Sequence, residues 1–305
     1  FVASLDLRGT VLRCVRGMKF WQSITWAETD QLCDIARFAE SLGYEGVIGA
    51  DHALYPKTMR PDYPYSESGY PPQTSDSEYP DMWTSAAAIT SVTERLRYVC
   101  GVYVLPLRNP IEVAKQAATL ATLSKGRFAL GVGAGWMREE FDLYGVDFKS
   151  RGRRMDEMID VMQGLWTGDY YEARGEFFDW DPIVVSPKPS HPVPLYFGGT
   201  AKVALRRAAR VGDGWIGAGN TPAEVPALME TLRTLRKEAG RGDRPFETLI
   251  GLYADAEVDL FRRMEDEGMT SGIHLPFWFE FDGPSTIDQK KRSMEAYAEE
   301  IIRYF

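Results

Sequence analysis

The 305-residue sequence contains little of what several common classes of site require. It has three cysteines, Cys14, Cys33 and Cys100, and three histidines. Neither set shows the close spacing of metal ligands, so we expect no metal. A few scattered cysteines in odd number are typical of a reducing compartment, which predicts a cytoplasmic location. The H-E-x-x-H pattern, the G-x-S-x-G elbow and the P-loop are also missing from the sequence.

A basic excess and long apolar runs are missing as well. The formal net charge is −9, and no basic stripe interrupts it. This argues against a nucleic-acid partner, because phosphate backbones are bound mainly through Lys and Arg. The longest apolar runs are far shorter than a membrane span, so we expect no membrane partner. The apolar fraction of 44% suffices for a sizeable core, which leaves a globular protein that binds a small molecule.

Segments of strand type and helix type alternate eight times along the chain. This predicts an α/β protein with a closed (β/α)8 barrel rather than an open sheet. Two proline- and tyrosine-rich insertions interrupt it, residues 53–80 after strand two and residues 169–192 before strand five. We expect one barrel domain over residues 18–305, with residues 1–17 as an extension upstream of the native start. The predicted strands are Met18–Ile24, Glu45–Ala50, Tyr98–Leu105, Phe128–Val132, Pro194–Phe197, Gly214–Ala218, Thr248–Tyr253 and Gly272–Leu275.

The segment from Leu105 to Trp136 carries the clearest local signals. Asn109 is a predicted N-cap, Pro110 fits the first helical turn, and Gly126 ends the helix. An apolar strand follows and ends in the pattern G-x-G-x-G-W. A dinucleotide-binding turn of the form G-x-G-x-x-G is not met, because Trp136 occupies the place of its third glycine.

The chemistry of such barrels lies on the loops that follow the strands, which makes His52 the strongest catalytic candidate. It follows strand two, with Asp51 beside it and a long loop after it, and histidine transfers protons near neutral pH. The competing interpretation is a histidine that only caps a loop by hydrogen bonding. His274 lies within strand eight and is expected in the core, and His191 is expected to be structural.

Glycines at two strand ends indicate ligand contacts. Gly198, Gly199 and Thr200 precede a helix, where free backbone amides bind anions such as phosphate. A tight turn without a ligand is the alternative. Gly133 and Gly135, at the end of strand four, leave space for a flat ligand against the backbone. Their alternative role is to relieve crowding inside the barrel.

The insertion over residues 53–80 is expected to form a lid over the barrel mouth, with a solvated loop as the alternative. Its tyrosines are Tyr55, Tyr63, Tyr65, Tyr70 and Tyr79. The insertion over residues 169–192 is expected to be irregular and to start on the opposite face. Arg151, Arg153 and Arg154 form a basic cluster that is either solvated, ion-paired or available to an anionic cofactor tail.

Several stretches, taken in this order, resemble the luciferase-like monooxygenase superfamily of flavin- and deazaflavin-dependent (β/α)8 barrels. Within that superfamily the sequence is most similar to the branch that uses the deazaflavin coenzyme F-420. The matching stretches are GVIGADH (Gly46–His52), LPLRNPIEVAKQAATLATLSKGRFALGVGAGW (Leu105–Trp136), RGRRMDEMIDVMQGLW (Arg151–Trp166) and VPLYFGGTAKVALRRAARVGDGWI (Val193–Ile216).

The resemblance implies roles for residues at four strand ends. Asp51 and His52 are implied to lie beside the ring, with His52 transferring the proton and Asp51 helping to orient it. A bulge of strand three near Tyr103 and Val104 is implied behind the ring, often through a non-proline cis peptide bond. The other implied cofactor contacts are Gly133, Gly135 and Trp136, and the phosphate-binding turn of Gly198, Gly199 and Thr200.

The chain departs from the branch at one position. The sugar-phosphate dehydrogenases of this branch carry a glutamate directly after the strand-four glycines, where this chain has Trp136. The resemblance therefore implies a homodimeric F-420-dependent oxidoreductase that moves a hydride between the deazaflavin and a small, fairly apolar organic substrate. The first alternative is an FMN-dependent monooxygenase that uses reduced flavin and oxygen. The second is a non-catalytic binding protein on the same scaffold.

Overall fold

The computed structural model describes residues 17–217 and 219–305, so the predicted extension up to Arg16 and the predicted strand end at Ala218 lie outside the described residues. The strands are β1 (Lys19–Ser23), β2 (Gly46–Gly49), β3 (Arg97–Cys100), β4 (Tyr103–Val104), β5 (Phe128–Gly133), β6 (Tyr171–Arg174), β7 (Asp179–Ile183), β8 (Leu195–Gly198), β9 (Gly214–Ile216), β10 (Glu247–Gly251) and β11 (Ser271–His274). The helices are α1 (Leu32–Ser41), α2 (Met82–Ser91), α3 (Pro110–Leu123), α4 (Arg138–Tyr144), α5 (Arg151–Trp166), α6 (Lys202–Val211), α7 (Val225–Glu238), α8 (Val258–Asp266), α9 (Phe277–Phe281) and α10 (Ile287–Glu300).

The parallel strands close into a barrel with eight positions. β1 pairs with β2 on one side and with β11 on the other, and β11 continues through β10, β9 and β8 to β5. β3 joins β2 to β5 and completes the circle. β3 and β4 share one barrel position, because both pair with β5. The predicted (β/α)8 barrel is confirmed, with its helices outside the strands.

Strand three differs from the prediction of one continuous strand over Tyr98–Leu105. It is divided into β3 and β4, and a non-proline cis peptide bond joins Gly101 to Val102 between them. A non-proline cis peptide bond is thus present in this strand, just before the bulge implied near Tyr103 and Val104. A single turn of 3-10 helix, Leu105–Leu107, follows β4 directly.

Two further element predictions are corrected. The apolar spacing after strand one predicts a helix from about Thr25 to Leu42, but the helix begins at Leu32, because residues 25–28 form a loop and Thr29–Gln31 a short 3-10 turn. The second insertion is not irregular, since β6 and β7 form an antiparallel hairpin. Its charged residues and Pro182 concealed the strand pattern. No helix in the described part of the chain is long and apolar enough to cross a membrane.

One buried side chain from each barrel position fills the interior. Such a layer makes the barrel a packed core and not a pore, so any ligand site must lie above it. A second, larger apolar cluster lies between strands and helices. The interior layer consists of Trp21, Ile48, Val99, Ala129, Tyr196, Ile216, Leu249 and Ile273.

A charged cluster closes the barrel at the amino-terminal ends of its strands. Arg97 donates hydrogen bonds to Glu45, at 3.0 Å, and to both carboxylate oxygens of Glu247, each at 3.0 Å. Tyr196 and Lys19 also bond to Glu247. Burial alone would raise the pKa of Glu247, but the hydrogen bonds and charge of Arg97 outweigh it and lower this pKa to about 2. The cluster therefore joins five strand starts by ionic contacts.

We expect Glu247→Gln to lower the free energy of unfolding by about 2 kcal/mol at neutral pH, because charge-assisted hydrogen bonds to Arg97 are lost. The folded-state pKa lies below that of the unfolded chain, so the contribution is present above about pH 4.5 and disappears as the pH falls toward 2. Thermal unfolding across this range should therefore show the deficit shrinking with acidity. Glu238→Gln, on the exposed end of α7, is the control. A deficit independent of pH would contradict the assignment.

Candidate functional site

A cavity of about 1200 Å³ opens at the carboxyl-terminal ends of the barrel strands. It lies above the interior layer and beneath the loop over residues 53–80. Of the site residues predicted from the sequence, Tyr103 alone does not line it. Tyr103 instead accepts a hydrogen bond from Trp83 at 3.1 Å in the helix layer. The predicted residues that line the cavity are Asp51, His52, Val104, Gly133, Gly135, Trp136, Gly198, Gly199 and Thr200.

His52 is held by a residue that the sequence reasoning missed. Its Nδ1 lies 3.1 Å from Oε2 of Glu140, whose side chain is fully buried. The other oxygen of Glu140 accepts the backbone N–H of Ala53 at 2.7 Å. When the carboxylate accepts a hydrogen from Nδ1, the remaining nitrogen Nε2 is free to accept a proton. Glu140 lies on α4, the first helix after β5, and this position is the signal that could have identified it.

Asp51 does not orient His52 as the resemblance implied. Its two oxygens accept hydrogen bonds from Nη2 of Arg108, at 3.0 and 3.1 Å. One of them also accepts the backbone N–H of Val104 at 3.0 Å. The carboxylate therefore fixes the start of the short turn after β4, next to the cavity. Asp51 is thereby tied to strand three, and the carboxylate that contacts the His52 imidazole is that of Glu140.

Aromatic rings of the long loop surround His52. The ring of Tyr79 lies 5.2 Å from the imidazole and that of Trp136 lies 5.6 Å away, both edge to face. Tyr63 in turn lies 5.0 Å from Trp136. These rings line the cavity together with Tyr65 and Tyr70, whereas Tyr55 is exposed and lies outside it. The loop thus covers the mouth of the barrel on the side of His52.

Gly133, Gly135 and Gly198 leave space for side chains of the protein itself rather than for a ligand. A Cβ atom on Gly133 or on Gly198 would lie 2.5 Å from a methyl carbon of Val102. Gly135 is similarly close to Val104 and Phe141. The alternative of steric relief therefore holds at these positions, and Val102 itself forms the cavity floor.

Gly199 differs from these glycines and has the geometry of an anion-binding turn. Its φ of +104° favours glycine, and an added Cβ would meet nothing closer than 3.4 Å. Its carbonyl accepts a hydrogen bond from Nε1 of Trp215 at 2.9 Å, which fixes the turn. Helix α6 follows, and its N-cap residue Ala201 provides no side-chain hydrogen bond to the first amides. Gly199, Thr200 and Ala201 line the same cavity as the arginines described next.

Three arginines line the same end of the cavity, and Arg151 is central among them. Arg151 donates to the carbonyls of Gly135, at 3.1 Å, and Phe148, at 2.8 Å. Burial and the nearby charges of Arg138 and Arg207 lower the pKa of Arg151. Arg207 pairs with Asp156, but within the described ranges neither Arg138 nor Arg151 has a carboxylate oxygen within 4.0 Å. We refer to Arg138, Arg151, Arg207 and the Gly199 turn as the cationic end.

The basic cluster expected around α5 is therefore divided in space. Arg153 is exposed and pairs with Glu176 at 2.8 Å. Arg154 donates to the carbonyl of Pro106 at 2.9 Å and stacks on Phe178. Only Arg151 of the three lines the cavity. Arg138 and Arg207 were missed, because their sequence positions on α4 and α6 do not reveal which way each side chain points.

The chain matches the family described as luciferase-like monooxygenase over residues 18–256. An uncharacterized protein of Mycobacterium tuberculosis is 39% identical over 273 residues, or 88% of this chain and 93% of that protein. An F-420-dependent glucose-6-phosphate dehydrogenase of Nakamurella multipartita is 30% identical over 80% of this chain and 69% of its own length. An FMNH(2)-dependent dimethylsulfone monooxygenase of Pseudomonas fluorescens is 32% identical over 48% of this chain and 41% of its own length.

Solved structures share the fold at low sequence identity. The monooxygenase RslO1 of Streptomyces bottropensis superposes with a TM-score of 0.74 at 18% identity, covering 94% of this chain and 99% of that one. The F-420-dependent tetrahydromethanopterin reductase of Methanopyrus kandleri gives 0.70 at 15% identity, over 94% and 99%. These structural similarities support the barrel fold and do not identify the reaction.

We predict that Glu140 sets the tautomer of His52. Nitrogen NMR of isotopically labelled histidine, recorded where the imidazole is neutral, should show the proton of His52 on Nδ1. In Glu140→Gln the Nε2–H form should become substantially populated, because a carboxamide can donate to Nδ1. The signal is assigned with His52→Asn. The neighbouring Glu139→Gln should leave the spectrum unchanged, and an Nε2–H tautomer in the native protein would contradict the prediction.

Proposed function

Because the chain belongs to the luciferase-like monooxygenase family, we propose that it is an F-420-dependent oxidoreductase acting on a small, fairly apolar organic substrate. The observation that carries the proposal is the cavity with two chemically different ends. At one end His52, held by buried Glu140, faces the space below aromatic rings. At the other lies the cationic end. A cofactor with a flat ring and an anionic chain fits this division.

The residues at the cationic end fit the charged part of such a cofactor. Arg138 and Arg151 lack carboxylate partners in the described chain, and the turn at Gly199 leaves its backbone open. Guanidinium groups and helix N-terminal amides bind phosphate and carboxylate groups strongly. The coenzyme F-420 carries a phosphodiester and several carboxylates on one chain, which suits several arginines spread over α4, α5 and α6.

The protein would bind the ring, orient the substrate and move one proton. When bound, the deazaflavin supplies hydride exchange at carbon 5 of its ring. The chain supplies His52, whose Nε2 accepts or donates the accompanying proton. Glu140 holds the imidazole in orientation through its bond to Nδ1. The long loop excludes water, which strengthens each electrostatic contact within the site. Val102, on the floor between Gly133 and Gly198, presents an apolar surface to a flat ring.

The second candidate is an FMN-dependent monooxygenase. The relative from Pseudomonas fluorescens is named as FMNH(2)-dependent, and it favours this reading over about half of the chain. FMN carries a single phosphate monoester and would leave part of the cationic end without a partner. The relative named for F-420 matches a larger share of the chain. Both facts support the deazaflavin.

We predict that the deazaflavin binds at least about tenfold more tightly than FMN, since it reaches more of the arginines. Arg151→Gln should weaken its binding by about tenfold, the effect of one lost charge-assisted hydrogen bond. Arg153→Gln, two residues away but paired with Glu176 on the surface, is the matched control and should bind normally. Fluorescence titration measures all of these constants. Micromolar binding of FMN without binding of the deazaflavin would overturn the proposal.

A further inference from the structure

The substrate end of the cavity is bounded by a continuous chain of aromatic rings that we call the aromatic wall. His52 lies in its middle, between Tyr79 at 5.2 Å and Trp136 at 5.6 Å. From Tyr79 the contacts continue to Trp26 at 6.5 Å, and from Trp26 to Phe279 at 5.6 Å. From Trp136 they continue to Tyr63 at 5.0 Å. The wall consists of Trp26, Tyr63, Tyr79, Trp136 and Phe279, all of which line the cavity.

The backbone conformation of Trp26 indicates that the aromatic wall has a function beyond packing. It follows β1 in the loop at the cavity mouth, and its backbone φ is +62°. A bulky residue rarely adopts this left-handed conformation, which asparagine or glycine would take more readily. Strained backbone of this kind concentrates at functional sites, where the surrounding structure maintains it. The strain places an indole in the cavity wall where a less demanding residue would complete the turn.

The aromatic wall is electrically neutral. Burial raises the pKa values of Tyr63 and Tyr79, so both phenols stay protonated at physiological pH. The ionisable groups beside the wall are already hydrogen-bonded to each other, His52 to Glu140 and Asp51 to Arg108. An anionic substrate would find no unpaired cation here, in contrast to the cationic end. A charged group would therefore lose its hydration without a compensating partner.

Thr25 and Asp62, next in sequence to Trp26 and Tyr63, also line the cavity, and His52 is the polar group held in the middle of the wall. Its Nε2 is the nitrogen left free by the bond between Nδ1 and Glu140. A hydroxyl can donate to this nitrogen, and a carbonyl can accept from it once the ring is protonated. Aromatic rings, by contrast, offer edges and faces that pair best with another ring in stacked or edge-to-face arrangements. The wall and His52 together fit a molecule with one ring system and one adjacent oxygen.

Resting on the proposed function, we propose that the substrate is an uncharged aryl alcohol or aryl ketone, with its ring against the aromatic wall and its oxygen on Nε2 of His52. The cavity volume of about 1200 Å³ exceeds what a single small ligand needs, so cofactor and substrate can occupy it together. A sugar phosphate is disfavoured, because its many hydroxyls and its charge would face neutral rings.

Equilibrium binding of paired probes tests the substrate class without turnover. The probes are acetophenone and 1-phenylethanol, with cyclohexyl methyl ketone and 1-cyclohexylethanol as saturated counterparts of similar size. Tryptophan fluorescence and calorimetry follow binding to the protein alone and to the protein saturated with the deazaflavin. We expect the aryl compounds to bind at least about tenfold more tightly than their saturated counterparts. Equal binding of both kinds, no binding of the aryl compounds, or tighter binding of benzoate or glucose 6-phosphate to the deazaflavin-saturated protein, whose cationic end is filled, would overturn the proposal.

Substitutions test whether the residues of the aromatic wall cause the preference for aryl over saturated probes. Trp136→Leu and Tyr63→Leu should each remove most of the preference for the aryl probes while changing affinity for the saturated probes less than about twofold. Tyr170→Leu, which changes an exposed ring outside the cavity, is the control. Circular dichroism confirms that each variant is folded. An aryl preference that survives both wall substitutions would overturn the proposal.

The same titrations separate this inference from the proposed function. Deazaflavin affinity is measured independently in each variant, through contacts at the cationic end that the wall substitutions leave in place. Loss of deazaflavin binding in the native protein defeats the proposed function, whatever the probes do. Normal deazaflavin binding with no aryl preference defeats the substrate class alone.

Discussion

The buried carboxylate of Glu140 is the contact on which the arrangement of this site depends. It joins the loop after β2 to the helix after β5, through Nδ1 of His52 and the backbone N–H of Ala53. A fully buried carboxylate is stable only with such partners, so the loop after β2 and the helix after β5 are fixed relative to each other. The imidazole is thereby held at the cavity with one nitrogen available. Removing the carboxylate would leave two donors without an acceptor.

The charged residues are distributed so that the two ends of the cavity differ in charge. At the bottom of the barrel, charges neutralise one another in the cluster around Arg97 and Glu247. At the top, the arginines of α4, α5 and α6 gather on one side, and paired charges under neutral rings lie on the other. A cofactor chain and an uncharged substrate would consequently enter with defined orientations.

The sequence predicted the barrel, and most of the predicted site residues do line the cavity, because strand order alone decides which loops share the mouth. Gly199 was singled out as part of a turn before a helix, and it lies in a turn of positive φ just before α6. The position of Glu140 after a strand marks it as a candidate, but its burial could not be predicted, since a glutamate in a charged helical stretch is usually exposed. The choice between the two roles stated for Gly133 could not be made either, because it depends on Val102, between β3 and β4. Contacts between side chains of distant loops are set by tertiary packing, which local patterns do not record.

A crystal structure of the protein grown with the deazaflavin and FMN offered together tests the central claim most directly. The account predicts density for the deazaflavin, with its ring between Val102 and His52 and its phosphate at Gly199 and Arg151. Density for FMN instead would contradict the proposed cofactor. Density for either compound away from His52 and Glu140 would contradict the assignment of this cavity as the active site.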